Sequence, residues 1–314
     1  MQIEEKKSLG RRPMGEAYAG PVLIIIAALL WAFDGLIRQH LYVLPPITII
    51  FFEHLIGLII LTPFVFKYIL KTHLTKREWW LTILIAFLSG LLGTLWFTTA
   101  LGKVHYISIS VVFLLQKLQP IFAIGTATIF LKEKFDTRYI KWALLAILSA
   151  YFVTFPNGFV NFHTGEGTII AALYALGAAF AWGSSTTFSK MLLGKIDSKV
   201  STFYRFLFTL IIALPLVLIF GRTGGNFVFP NLTQISLLIL IGISTGMVAI
   251  LIYYKGLAKT SVHISTILEL TFPFVAIILD MIVNHTILSI LQWLASFVLV
   301  FAIYKIAKLR ENFI

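Results

Sequence analysis

Ten stretches of roughly twenty mostly apolar residues follow one another along this 314-residue chain, each long enough to cross a bilayer as a helix. They lie near 20–38, 45–69, 79–101, 107–130, 138–156, 168–190, 199–220, 233–254, 262–283 and 287–306. The connections are short and several carry loop punctuation, as in Leu44-Pro45-Pro46, Pro156-Asn157-Gly158 and Gly224-Gly225-Asn226. A membrane strand would need only about ten alternating residues, so the segment lengths favour helices over a barrel. With 59% hydrophobic and 12% charged residues, the chain has too few charges to cover a soluble domain, and it is too apolar to be disordered. The expected fold class is an all-α integral membrane protein. The first apolar run follows Lys6, Lys7, Arg11 and Arg12 as a signal peptide would, but it is long and has no clear cleavage site, so it reads as an uncleaved first helix.

The net charge of +12 would suit a nucleic-acid binder if the charges formed a patch. They do not. With the N-terminus placed in the cytoplasm, twenty of the 25 Lys and Arg residues fall on the cytoplasmic side. Arg38, Lys103 and Arg222 fall outside, and Lys117 and Arg205 lie within spans. This asymmetry follows the positive-inside rule, supports ten spans with both termini cytoplasmic in the plasma membrane, and gives no reason to expect a nucleic-acid partner.

Sliding the chain against itself by about 151–153 residues brings Trp31 onto Trp182, His54 onto Arg205 and Trp142 onto Trp293. The same shift lays Leu115-Gln116-Lys117-Leu118-Gln119-Pro120 on Leu268-Glu269-Leu270-Thr271-Phe272-Pro273. Each half holds five spans, an odd number, so the second half must sit upside down relative to the first. Inverted repeats let a transporter open to one side or the other by exchanging the conformations of its halves. The expected division is a cytoplasmic tail at 1–18, a first repeat at 19–157, an external connector at 158–167, a second repeat at 168–308 and a cytoplasmic tail at 309–314.

These residues resemble the drug/metabolite transporter superfamily, and within it the EamA-type members. The resemblance rests on the five-plus-five layout, Trp31 and Trp182, Phe203-Tyr204-Arg205-Phe206, Pro120 and Pro273, and Leu131-Lys132-Glu133. It implies a central cavity lined by the first, third and fourth helices of each half, and small-molecule substrates such as amino acids, metabolites or drugs. Two positions depart from internal symmetry: Thr286 stands opposite Glu133, and His54 opposite Arg205.

Ionisable groups inside a membrane are costly and must face protein or water. Lys117 lies mid-span beside Gln116, Gln119 and Pro120, where proline frees a backbone carbonyl one turn back. Glu269 is the repeat counterpart of Gln116 and precedes Pro273 by one turn. Lys117, Gln116 and Glu269 are therefore the expected centre of a substrate site, with Trp31, Asp34, Trp96 and Trp182 as lining. A Lys117–Glu269 ion pair, a substrate ammonium on Glu269 and proton coupling through Glu269 are alternatives that the sequence leaves open. Asp34 suits either a substrate cation or a gate with Arg38. Glu53, His54 and Arg205 read as a structural ion pair or gate.

The chain has no cysteine, no phosphate-binding loop and no metal-ligand spacing among its seven histidines, so no cofactor or metal is expected. The expected function is a secondary transporter, an exporter or exchanger of small polar or amphipathic metabolites, working as a monomer or homodimer in the lipid bilayer. A non-transport intramembrane enzyme or an assembly protein is the alternative; Glu53-His54 would be its only acid–base pair, with no nucleophile in sight.

Overall fold

A computed structural model describes residues 14–41, 43–102, 115–116, 118–134, 137–154, 168–222, 227–283, 285 and 287–309. Among these residues there are helices and turns and no strand. Ten helical rods follow in order: α1 (Met14–Arg38), α2 (Pro46–Ile69), α3 (Lys76–Gly102), α4 (Gln119–Phe130), α5 (Thr137–Thr154), α6 (Thr168–Leu193), α7 (Ser198–Arg222), α8 (Leu232–Lys259), α9 (Val262–Val283) and α10 (Ile290–Leu309). Five of the rods contain a helix that is by itself long and apolar enough to cross a membrane: α2, α3, α7, α8 and α10. Gln119–Phe130 and Ala19–Asp34 are shorter apolar helices. The large side chains on the outside are apolar: Phe64, Ile129, Leu144, Leu173 and Phe297 are each more than 60% exposed. That surface suits hydrocarbon and would be a liability in water.

Local chemistry sets the helix starts. Pro46 opens α2 at a position where the missing N–H costs nothing. Both third helices begin with a reciprocal capping box. In α3 the Thr75 hydroxyl accepts from the Glu78 N–H and the Glu78 carboxylate from the Thr75 N–H. In α8 Asn231 and Gln234 do the same.

The repeat extends to the places where helices break. α3 widens to a π-helix over Ala86–Gly93, and its counterpart α8 breaks at Ser244–Gly246, where the Ser244 and Gly246 N–H groups both bond the Ile241 carbonyl. α4 and α9 both break just before their prolines. Tight three-residue bonds join Leu118 N–H to the Leu115 carbonyl in one and Leu270 N–H to the Ile267 carbonyl in the other. Lys132 (φ 55°) and His285 (φ 54°), the two non-glycine residues with positive φ among those described, occupy equivalent turns after α4 and α9.

Packing crosses between the halves. α1 lies against α8 and α9, while α6 lies against α3 and α4; α2 pairs with its counterpart α7, and α5 with α10. This exchange is what a pseudo-two-fold arrangement of two five-helix repeats requires. Small residues permit the closest approaches. A Cβ on Gly183 of α6 would lie 2.6 Å from the Gln119 carbonyl oxygen of α4. One on Gly256 of α8 would lie 2.9 Å from the Gly20 carbonyl oxygen of α1.

Candidate functional site

The interruption in α9 at Glu269-Leu270 places a carboxylate deep among α1, α4, α6 and α8. The Tyr253 hydroxyl of α8 donates to Glu269 Oε1 at 2.5 Å, and the Gln119 amide of α4 donates to Oε2 at 2.9 Å. Thr186 of α6 lies 3.4 Å from the Tyr253 hydroxyl, and the Trp31 ring of α1 packs on the Tyr253 ring at 5.2 Å. Trp31, Gln116, Gln119 and Glu269 are all half-buried, so this centre retains accessible surface. Buried polar atoms with nothing to bond occur close by in the chain: Gln116 Oε1, three residues before Gln119, and the hydroxyls of Thr266 and Thr271, three residues before and two after Glu269. Buried polar atoms in proteins are usually hydrogen-bonded, so each of these has the capacity to take a further partner. Lys117, expected at the middle of this site, lies outside the described residues.

A second polar cluster sits where α1 ends. The Arg38 guanidinium spans two carboxylates, reaching Asp34 through Nε at 2.6 Å and Nη2 at 3.3 Å, and Glu53 through Nη1 at 3.0 Å. Thr245, in the α8 interruption, donates to Asp34 at 2.5 Å. The cluster thus ties α1 to α2 and to the broken point of α8.

The Asp34–Arg38 contact matches one of the two partners the sequence offered for Asp34, and the Arg38 side chain is only 11% exposed. One expectation needs correcting: Glu53 takes Arg38 as its ion-pair partner, where the sequence grouped Glu53 with His54 and Arg205. Spacing along α2 shows which way Glu53 can point, but not which helix end meets it. His54 Nδ1 instead donates to the Ile50 carbonyl at 2.8 Å, with its ring against Phe206. Arg205 donates through Nη1 to the Tyr254 hydroxyl at 3.5 Å, and its Nε is buried without a partner.

The remaining tryptophans divide. Trp182 of α6 donates through its indole N–H to the Ser89 carbonyl in the π-helical part of α3, at 3.2 Å. It meets a carbonyl at a point where the ordinary helical ladder has slipped. Trp96 lies over Gly177 and, with Ile170, Leu173 and Tyr174, lines an apolar groove of about 300 Å³ between α3 and α6. The structure therefore brings Trp31 to Glu269, Asp34 to Arg38, and Trp96 and Trp182 to the α3–α6 seam.

Sequence reading treated Glu133 as a helix-end marker and missed its role as a bridge between the halves. After α4 the chain turns through the left-handed Lys132, which aims Glu133 at the start of α9. Its carboxylate accepts from the Val262 N–H at 2.9 Å and the His263 N–H at 3.2 Å, and lies 2.7 Å from His263 Nδ1. Carboxylates are favoured at helix N-termini, where N–H groups are unpaired and the dipole is positive. Burial opposes ionisation of Glu133, but the His263 and Val262 hydrogen bonds outweigh it and hold its pKa below the ordinary value. Only Val262–Leu268 separates this anchor from Glu269.

Comparison with known proteins bears on the same layout. Residues 18–155 and 169–307 each match the EamA-like transporter family. The riboflavin transporter ImpX of Fusobacterium nucleatum is 34% identical over 294 residues, covering 93% of this chain and 98% of that protein. The uncharacterised inner membrane transporter YhbE of Escherichia coli K12 is 25% identical over 303 residues, covering 91% and 90%. A solved crystal structure shares the fold with a TM-score of 0.76 at 15% identity, over 92% of this chain and 98% of its own. Two family matches, placed on the two halves that pack by exchange, make this chain a multi-pass membrane protein belonging to the EamA-like transporter family.

Proposed function

We propose that the chain is a secondary transporter of small amphipathic solutes of the riboflavin kind, and that the substrate binds at the α4 and α9 breaks. The observation that carries the site is the half-buried carboxylate of Glu269, held by Tyr253 and Gln119 on segments that also carry the unpartnered buried atoms Gln116 Oε1, Thr266 Oγ1 and Thr271 Oγ1. A solute with a flat ring and hydroxyl or N–H donors would complete these bonds, and Trp31 offers it an aromatic wall. Riboflavin has both parts, and ImpX, named for it, is similar over nearly the whole chain. Lys117 belongs to the proposed site on its position beside Gln116. Transport proceeds by alternating access between the two halves. Glu269, a carboxylate among neutral donors in the described residues, is the group through which protons would couple.

The test is flux in proteoliposomes, with riboflavin placed inside or outside and with or without a pH gradient. Saturable, protein-dependent flux is expected. No flux in either direction under any gradient contradicts the reading, and flux of other metabolites alone would move the substrate class away from flavins.

A further inference from the structure

Arg205 is a permanently charged side chain, 91% buried by its 9% exposure, and its polar contacts are one 3.5 Å bond to the Tyr254 hydroxyl and that residue's ring face at 5.9 Å. Its Nε has no acceptor, and Ser201, one turn earlier on α7, likewise holds an unpartnered buried hydroxyl. No carboxylate lies within ion-pair distance of Arg205 among the described residues. A buried guanidinium left so is expensive. The compensating charge is on the facing helix: His54, next to Glu53 on α2, packs its ring 4.8 Å from that of Phe206, next to Arg205 on α7. Asp34, Glu53, Arg38 and Arg205 together sum to zero, so the cluster needs no external anion. It is neutral as a set, with the carboxylates gathered at Arg38.

We infer that Glu53 exchanges partners, binding Arg38 in the conformation seen and Arg205 in the alternate one. Glu53 sits on α2 against α7, which carries Arg205, and α2 also faces the end of α1, which carries Arg38. While Glu53 holds Arg38, α1 is tied to α2, and through Asp34 and Thr245 to the α8 interruption. When Glu53 turns to Arg205, the tie between α1 and α2 is gone and that end of the molecule can open. In the alternate state Arg38 keeps Asp34 while Arg205 gains Glu53, so each arginine then has a carboxylate. His54, Tyr254, Ser201 and Thr245 are other polar side chains beside the exchange. His54 is engaged with the Ile50 carbonyl, and the Tyr254 hydroxyl, 3.1 Å from Ser189, steadies the waiting Arg205. The exchange concerns the gate and is independent of which solute is carried.

The chain contains no cysteine, so a single introduced thiol reports without background. Leu41, fully buried just beyond α1 among Leu44, Ile49, Leu238 and Ile241, is the place for it. Labelling of Leu41→Cys by a polar maleimide is measured on purified full-length protein without substrate. Removing the alternate partner should hold Glu53 on Arg38 and keep the end shut. Arg205→Gln is expected to slow labelling about tenfold, a population shift of the size one lost ion pair commands. Arg205→Lys, which keeps the charge but loses the fork, should fall between Gln and native. Labelling that is unchanged or faster in Arg205→Gln overturns the exchange. Should that variant fail to fold, Arg205→Lys decides alone: slower than native supports the proposal, and equal or faster overturns it.

Discussion

Among the described residues two carboxylate clusters lie inside this membrane protein, and they are built on opposite plans. At the end of α1, Asp34 and Glu53 share the fork of Arg38, and Thr245 adds a further donor. At the α9 break, Glu269 is held by the neutral Tyr253 and Gln119, and buried polar atoms on the same segments stay unbonded. The first is satisfied by charge and links three helices. The second keeps hydrogen-bonding capacity in reserve beside accessible surface. A saturated ion cluster can hold or release helices, whereas an unsaturated one can receive a solute, and in the proposed reading this difference separates gate from site.

The sharpest way to break this comparison is to remove one key group from each cluster and measure unfolding in detergent. Arg38→Gln leaves two buried carboxylates without their cation and is expected to cost about 3–5 kcal/mol. Glu269→Gln keeps neutral partners and should cost about 1 kcal/mol. Equal losses would erase the distinction. A smaller effect tests the seam that brings α4, and with it Gln119, to the centre. Gly183→Ala pushes a Cβ into backbone 2.6 Å away and should cost about 1–3 kcal/mol while weakening transport. Smaller still is Glu133→Gln, expected to cost about 1 kcal/mol at pH 7. Because the folded pKa of Glu133 is depressed, its stabilisation is present above the ordinary carboxylate range and is lost as pH falls through the lowered folded value. The gap between native and Glu133→Gln should therefore close on acidification, and a gap constant with pH would contradict the capping role.

Much of the frame was legible in the sequence because a bilayer imposes length and charge rules on every span. The paired prolines Pro120 and Pro273 marked the breaks in α4 and α9, since each removes a donor at a fixed place in the helix. The π-helix of α3 has no such marker; Ala86–Gly93 carries no proline. Glu269 stood out as an acid one turn before a proline, yet its partners Tyr253 and Gln119 come from other helices, and helix rotation is decided by packing that no spacing reports. Arg38 was legible as a partner of Asp34, but its second acid, Glu53, was not, for a related reason: it comes from another helix. Glu133 needed the left-handed turn at Lys132 to reach α9, and lysine gives no warning of positive φ.

The most direct test of the distinction between site and gate is the equilibrium affinity of riboflavin for the purified native protein and for Glu269→Gln, with melting temperature followed in parallel. The account predicts binding to the native chain, weakened about tenfold or more by the substitution, since each lost hydrogen bond to a charged group is worth about 1.5–3 kcal/mol, with little change in melting. Equal affinity in the two proteins would contradict it.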